Sequence, residues 1–326
     1  MTLTMNTVNR RQFVKTSVLA GLAGWGIGAR PASAADEAKP QRKFTLCLAC
    51  GPIGVPSDPR KMVAWASQFG FEAIEPSPPF LGQLSDAELR EYLDEMKTRK
   101  LAWGAAGLAL EFRGAEPAFE QSLKALPEFA RSLQRAGVTR VATWLSPGDR
   151  SLTYVANFRL HARRLREAAR VLGDHGLRLG LEYVGPKTSW SRSRFPFIHT
   201  MAEMKDLIAE IGRENVGFLL DSWHWYTAQE TEADLLTLKA TDVVLCHLND
   251  APSGVPVEQQ VDNRRALPCA TGVIDVKGFL GAMIKIGYDG PLVCEPFSQE
   301  LPKMPPEQAL ATVAAAMKKA TALAEG

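Results

Sequence analysis

Four segments of the 326-residue chain set an acid or a histidine directly after a short apolar run. They read Leu179-Gly180-Leu181-Glu182-Tyr183, Leu219-Leu220-Asp221-Ser222-Trp223-His224, Leu245-Cys246-His247-Leu248-Asn249-Asp250 and Val293-Cys294-Glu295-Pro296. Gathering these groups in one place without a compensating cation is costly, because each ion gives up hydration. Three carboxylates and an imidazole form a hard, oxygen-rich set. It suits Mn2+ or Mg2+, with cobalt, nickel or iron also able to bind, better than the sulfur- or nitrogen-rich surroundings of structural zinc. Singly, each residue has a plainer reading, since a strand-end carboxylate often caps the next helix and a lone histidine is often a paired core residue. Together, on four consecutive apolar runs, they point to one metal-binding constellation.

Four such ends meet only if the runs lie side by side and point the same way. Eight apolar runs recur, at 44–49, 71–75, 101–107, 138–144, 177–183, 216–221, 243–249 and 291–295. Between them the spacing predicts helices over 60–69, 89–97, 117–135, 154–172, 204–211, 232–240, 276–286 and 306–323. Capping boxes at Ser85-x-x-Glu88 and Thr200-x-x-Glu203 mark two of the starts. Eight strands alternating with eight helices imply a parallel sheet closed into a (β/α)8 TIM barrel, an α/β fold whose chemistry gathers at the C-terminal strand ends. The bases Arg159, Arg163, Arg164, Arg166 and Arg170 fall in one predicted helix and read as a solvated outer face. No repeat or internal linker divides the body, so residues 43–326 are expected to form one domain.

Glu182, Asp221-x-x-His224, His247 and Glu295 resemble the pattern of the xylose isomerase-like sugar isomerases and epimerases, the group that includes D-tagatose 3-epimerase and inosose-processing enzymes. The resemblance runs from Phe44 to the last helix. It implies that Glu182, Asp221, His247 and Glu295 ligate one divalent cation, usually Mn2+. It also implies that Glu182 and Glu295 are the acid/base pair on opposite faces of the substrate carbon. By the same resemblance His224 and an arginine hold substrate oxygens. Arg265, three residues before Pro268, matches that arginine, with Arg264 as the fallback. Such a site removes a proton beside a carbonyl, and a cation stabilises the resulting enediolate. Return of the proton to the other face epimerises, return to the neighbouring carbon isomerises, and loss of a β leaving group makes a lyase. The turn Pro268-Cys269-Ala270-Thr271-Gly272 departs from the family's usual Pro-Gly turn, with Cys269 in the glycine's place.

Around these ends, the 184–196 stretch reads as a long loop. In it Lys187, Trp190, Arg192 and Arg194 either close over substrate or belong to a solvated segment. Trp223 and Trp225 flank His224, and at least one is expected to wall the pocket. Glu75 and Trp144 are further candidate substrate contacts, and Asn249 and Asp250 are expected to orient the ligands. Cys47 and Cys50 stand three apart in a strand and so point to opposite faces. Cys246 and Cys294 alternate away from their ligand neighbours into core packing.

The chain carries 38 Lys+Arg and 36 Asp+Glu, a formal charge of +2. Residues 1–34 hold Arg10, Arg11, Lys15 and Arg30 and no acid, which leaves the remainder at −2. That body has no positive excess to attract nucleic acid or an anionic membrane. Arg10-Arg11-Gln12-Phe13-Val14-Lys15, a glycine-rich apolar stretch and Ala32-Ser33-Ala34 have the order of an export signal and resemble a twin-arginine signal. The apolar stretch falls short of the ~20 residues that span a bilayer, so no stable membrane insertion is expected. The expected organisation is a signal peptide over 1–34, a linker over 35–42 and the barrel. The Tat machinery is then the export partner, and the destination is the periplasm. A homo-oligomer is compatible with the sequence. The expected substrate is a free sugar, keto-sugar, inosose or keto-glycoside. An apurinic endonuclease-like phosphodiesterase would want more strand-end histidines than His224 and His247, and a noncatalytic sugar- or metal-binding protein has no need of two opposed carboxylates.

Overall fold

The computed structural model describes residues 41–325; the signal peptide expected over 1–34 and all but the end of the linker lie outside them. The eight strand positions run in order Thr45–Leu48, Ala73–Ile74, Ala102–Trp103 continued by Ala106–Gly107, Arg140–Trp144, Arg178–Glu182, Val216–Asp221, Val243–Leu248 and Pro291–Cys294. All neighbours are parallel, and the first strand pairs with the last, Thr45 against Pro291, which closes the ring. This is the expected TIM barrel.

The third strand is broken. Ala102–Trp103 pairs with the second strand and Ala106–Gly107 with the fourth. At the break Gly104 lies over Cys47, whose Sγ is 2.6 Å from where a Cβ would stand, so a larger residue does not fit there.

The barrel interior is a layer of small and aliphatic side chains, among them Cys47, Ala73, Ala142, Leu219, Leu245 and Val293. Strand alternation puts residue i+2 on the same face. Directly above this layer therefore come Glu75, Trp144, Asp221, His247 and Glu295, with Glu182 above Gly180. Register keeps them level: Trp144 pairs with Glu182 and His247 with Asp221. Cys50, Cys246 and Cys294 instead join the apolar layer between sheet and helices, on the opposite side from Cys47. The alternation argument holds for Cys246 and Cys294; Cys50 lies beyond the first strand, which ends at Leu48, and the turn that follows carries it to the side opposite Cys47.

Seven of the helices form close to their expected bounds, with Ser85 and Thr200 closing the expected capping boxes. The helix expected over 232–240 is cut to Glu232–Leu235. The Thr237 hydroxyl donates back to the Asp234 carbonyl, and the Asp242 carboxylate accepts from the Lys239 N–H at 2.8 Å, which starts a separate turn at Ala240–Asp242. The arginine face on Tyr154–Gly173 is also less solvated than expected. Arg164 is buried and donates to the carbonyls of Phe112 and Gly114 and to Glu116. At the barrel's base Arg42 pairs with Glu72 at 2.8 Å and Glu325 at 3.1 Å, clasping the start of the fold to its last helix. Among the described residues no helix is long and apolar enough to cross a membrane.

Candidate active site

Glu182, Asp221, His247 and Glu295 each bring one ligand atom to a cluster in which all four lie within 4.8 Å of one another. Two oxygens on opposite sides of one ion at ~2.1 Å are ~4.2 Å apart, so this span is near the reach of a single cation. His247 Nδ1 stands 3.0 Å from Glu295 Oε2, 3.6 Å from Glu182 Oε1 and 3.9 Å from Asp221 Oδ2. Glu182 Oε1 is buried with no hydrogen-bond partner among the described residues. An orphaned carboxylate oxygen beside two more carboxylates is what a cation site looks like in its donor set, and the residues fit a divalent metal.

The protonation pattern agrees. Burial, then the charge of Glu295, pushes the Glu182 carboxyl well above the ordinary range. Burial acts the same way on Glu295, but the hydrogen-bonded His247 and the Arg265 guanidinium outweigh it and bring that carboxyl down to about 2. Burial opposes a charge on His247, yet Glu295, Glu182 and Asp221 together raise it to about 9. Three carboxylates that draw a proton onto a buried imidazole make a field in which a metal ion displaces that proton. Glu75, half-buried near His247 and Glu295 and off the cavity wall where a substrate contact was expected, is raised to about 7, chiefly by burial.

Two residues do double work. Asp221 Oδ1 accepts from the Trp223 N–H at 2.7 Å, capping the short helix Ser222–Thr227, while Oδ2 faces the cluster. That helix carries His224, whose Nδ1 accepts from the Gly185 N–H at 3.2 Å. This bond sets the tautomer with the proton on Nε2, toward the cavity; burial holds the ring neutral, with its pKa lowered to about 3. Gly185 must be glycine here, since a Cβ would stand 2.5 Å from the His224 carbonyl. Asn249 Nδ2 donates to Asp221 Oδ1 at 3.0 Å, and its Oδ1 accepts from the Glu295 N–H at 3.1 Å.

A cavity of about 360 Å³ opens above the cluster, lined by Glu182, His224, Arg265 and Glu295 together with Trp144, Ser189, Asp262 and Phe297. Arg265, not Arg264, points in. Its Nη1 donates to Asp221 Oδ2 at 2.7 Å and Glu295 Oε2 at 2.9 Å, between the rings of Phe297 and Trp223 at 4.6 and 5.5 Å.

Several expected contacts sit elsewhere. Trp223 is fully buried beneath Arg265, and Trp225 packs on Phe279, so neither tryptophan walls the cavity. Trp144 and Phe297 do. The loop after Glu182 folds into a turn of helix, Lys187–Trp190, and a strand piece, Phe195–Pro196, paired with Gly148–Asp149. That turn leaves Lys187 exposed and stacks Trp190 on His199 at 4.6 Å; Ser189 reaches the cavity instead. Asp250 orients no ligand. Its carboxylate accepts the N–H groups of Ala251, Thr271, Gly272 and Ile274 and ties down the turn after Pro268. Asp262 and Phe297 went unread in the sequence. They lie in irregular segments, and their signals were proximity to Arg265 and to Glu295.

Known proteins are similar to this chain in sequence and fold. The profile of the xylose isomerase-like TIM barrel family matches residues 63–320. An inosose isomerase of Bacillus velezensis is 23% identical over 236 residues, covering 72% of this chain and 80% of its own length. A 3-dehydroshikimate dehydratase of Pseudomonas aeruginosa is 29% identical over 140 residues, which is 43% of this chain and 21% of the relative. The solved structure of a xylose isomerase domain protein from Alicyclobacillus acidocaldarius superposes with a TM-score of 0.75 at 31% identity, over 87% of this chain and all of that one. The chain is an enzyme, and it belongs to the xylose isomerase-like TIM barrel family.

Proposed function

We propose that the chain is a divalent-metal-dependent sugar isomerase or epimerase that works through an enediolate on a free keto-sugar, inosose or keto-glycoside. The observation that carries this reading is the pair Glu182 and Glu295, set at the ends of the fifth and eighth strands, lining one cavity and belonging to one four-residue ligand cluster. Two carboxyls that face one substrate divide the roles of acid and base. Glu295, held ionised, takes the proton from the carbon beside the carbonyl. Glu182, across the cavity, delivers the returning proton to the other face or to the neighbouring carbon. His224 donates through Nε2 to a substrate oxygen, and Arg265 keeps Asp221 and Glu295 in place. Glu182, Asp221, His247 and Glu295 would hold the metal, Mn2+ in our reading of so oxygen-rich a set; when bound, it supplies positive charge opposite the developing oxyanion. The dehydratase relative favours a second outcome on the same site, in which a β leaving group departs instead.

The test is proton NMR in D2O with Mn2+-supplemented enzyme and a panel of ketoses, inososes and keto-glycosides. Deuterium is expected at a carbon next to the carbonyl, with at least a ~100-fold loss of rate in Glu182→Gln and Glu295→Gln. Metal binding without exchange in any of these compounds would refute the reaction.

We infer further that the protein is exported by the twin-arginine route to the periplasm. The support is the order of residues 1–34, paired arginines, apolar stretch and small-residue site. Cell fractionation is expected to find a mature form cut after Ala34 outside the cytoplasm. An uncut form held in the cytoplasm of a Tat-competent cell speaks against it.

A further inference from the structure

The cavity wall holds a carboxylate outside the metal set. Asp262 lies on the segment between the seventh strand and the helix Val276–Lys285, three residues ahead of Arg265. Its Oδ1 accepts from Arg265 Nη2 at 2.9 Å, and its backbone carbonyl accepts from Arg265 Nε at 2.9 Å. The same Oδ1 stands 3.9 Å from His224 Nε2, the atom turned toward substrate. Among the described residues nothing donates to Oδ2, and the side chain is 36% exposed. One oxygen is thus pinned while the other is free to accept from a ligand.

The charges around it are one-sided. Arg265 is the one lysine or arginine among the described residues lining the cavity; four of its five N–H groups are taken by Asp221, Glu295 and Asp262, and the fifth, on Nη2, lies against His224 Nε2 at 3.4 Å. Lys187 and Arg192 are exposed and off the wall. Arg113, near the rim, is held between the rings of Phe112 and Trp144 at 4.2 and 4.4 Å and donates to the Trp144 carbonyl. Four carboxylates, Glu182, Asp221, Asp262 and Glu295, therefore face one guanidinium; a divalent cation still leaves one negative charge in excess. An anionic group entering beside Asp262 meets a like charge and no free cation, whereas a hydroxyl meets a charged acceptor.

We propose that Asp262 is a specificity-determining residue. Its free oxygen accepts a hydroxyl of an uncharged polyhydroxylated ketone, and its charge excludes ligands that bear a carboxylate or phosphate at that corner. This rests on the reading of the cavity as a keto-sugar or inosose site, and it separates that substrate class from the acidic ketone in the dehydratase relative's name.

The experiment compares two ring ketones, an uncharged inosose and anionic 3-dehydroshikimate. Their binding to the Mn2+-loaded full chain is measured by calorimetry, in wild type, Asp262→Asn and Asp262→Glu, with the thermal midpoint of each. Wild type is expected to prefer the inosose by at least about tenfold, in line with a charged hydrogen bond. Asp262→Asn, which can still accept from Arg265, is expected to shrink that preference by about tenfold, weakening the inosose and strengthening the anion; Asp262→Glu restores part of it. A role confined to holding Arg265 would move both ligands alike. Equal binding of the two by wild type, no binding of the inosose, or an unchanged preference in Asp262→Asn would each overturn the proposal. Deuterium exchange plays no part in these readings, so a discriminating site without turnover would sink the reaction and leave Asp262 standing.

Discussion

Asn249 donates to Asp221 and accepts from the backbone of Glu295, so one fully buried amide sets ligands on the sixth and eighth strands. Replacing it by alanine keeps all four ligands but frees the Asp221 carboxylate to turn and leaves the Glu295 N–H without its partner. Loss of such an orienting contact typically costs ~10–100-fold in metal affinity. Asn249→Ala is expected to fall in that range by competition with a chelating dye while retaining the wild-type circular dichroism spectrum; unchanged affinity would remove Asn249 from the support of the site. At this scale the ligands were legible because strand alternation is strict. Once Leu219, Leu245 and Val293 face inward, Asp221, His247 and Glu295 must as well. Asn249 was legible by its place beside His247. Asp262 was not, because no periodicity governs the segment it occupies, and its meaning comes from Arg265 and His224 folding over it. Phe297 was hidden for a related reason. Its backbone takes φ +42°, a left-handed value no residue pattern announces, and that bend lays its ring on Arg265.

Among the elements, Cys269 shows where sequence and backbone pull apart. The turn after Pro268 keeps a left-handed residue, φ +59°, where the family's usual pattern has glycine. A side chain in that conformation costs roughly 1–2 kcal/mol, which glycine relieves at the expense of about 0.5–1 kcal/mol of chain entropy. Cys269 is half-buried and off the cavity wall, and its carbonyl, held by Lys319 Nζ at 2.9 Å, survives substitution. Cys269→Gly is therefore expected to stabilise by about 0.5–1 kcal/mol, seen as a rise of roughly 1–4 °C in thermal midpoint, with activity unaltered. A lowered midpoint would show the thiol's packing to outweigh the strain. The expected strands were right in number and place because buried parallel strands are continuous apolar runs. Interruptions were harder to see. The break at Gly104 depends on Cys47 from another strand, and the shortened helix at Glu232–Leu235 depends on which carboxylate captures which N–H. The turn Lys187–Trp190 docks through Thr188 Oγ1 on the Gln260 carbonyl at 2.6 Å, a partner more than seventy residues away that local spacing does not reveal.

Across the whole molecule, burial moves titrating groups in opposite directions, and their sum sets the acid tolerance of the barrel. Glu230, whose carboxylate accepts from the Tyr183 hydroxyl and the Met201 N–H, is raised to about 7, mainly by burial; the native state binds its proton more readily, which favours folding as pH falls toward 4.5. His161 works the other way. It sits in the helix Tyr154–Gly173 against Phe112 and Phe197, its Nε2 without a partner among the described residues, and burial lowers it to about 4. The unfolded chain binds this proton near pH 6.5 and the folded one only near 4, so the histidine's contribution is intact above 6.5 and is lost as pH falls through that window. A shift of that size corresponds to about 3 kcal/mol. Subtracting wild type from His161→Phe isolates it from Glu230 and the rest, because those groups titrate equally in both proteins. Urea unfolding of the two at pH 7.5, 5.5 and 4 is expected to show the variant gaining on wild type step by step as the solution is acidified, by a total near that figure. A constant difference across the three would mean that His161 takes up its proton within the fold as easily as outside it, through an opening of the contact between Phe112 and Phe197.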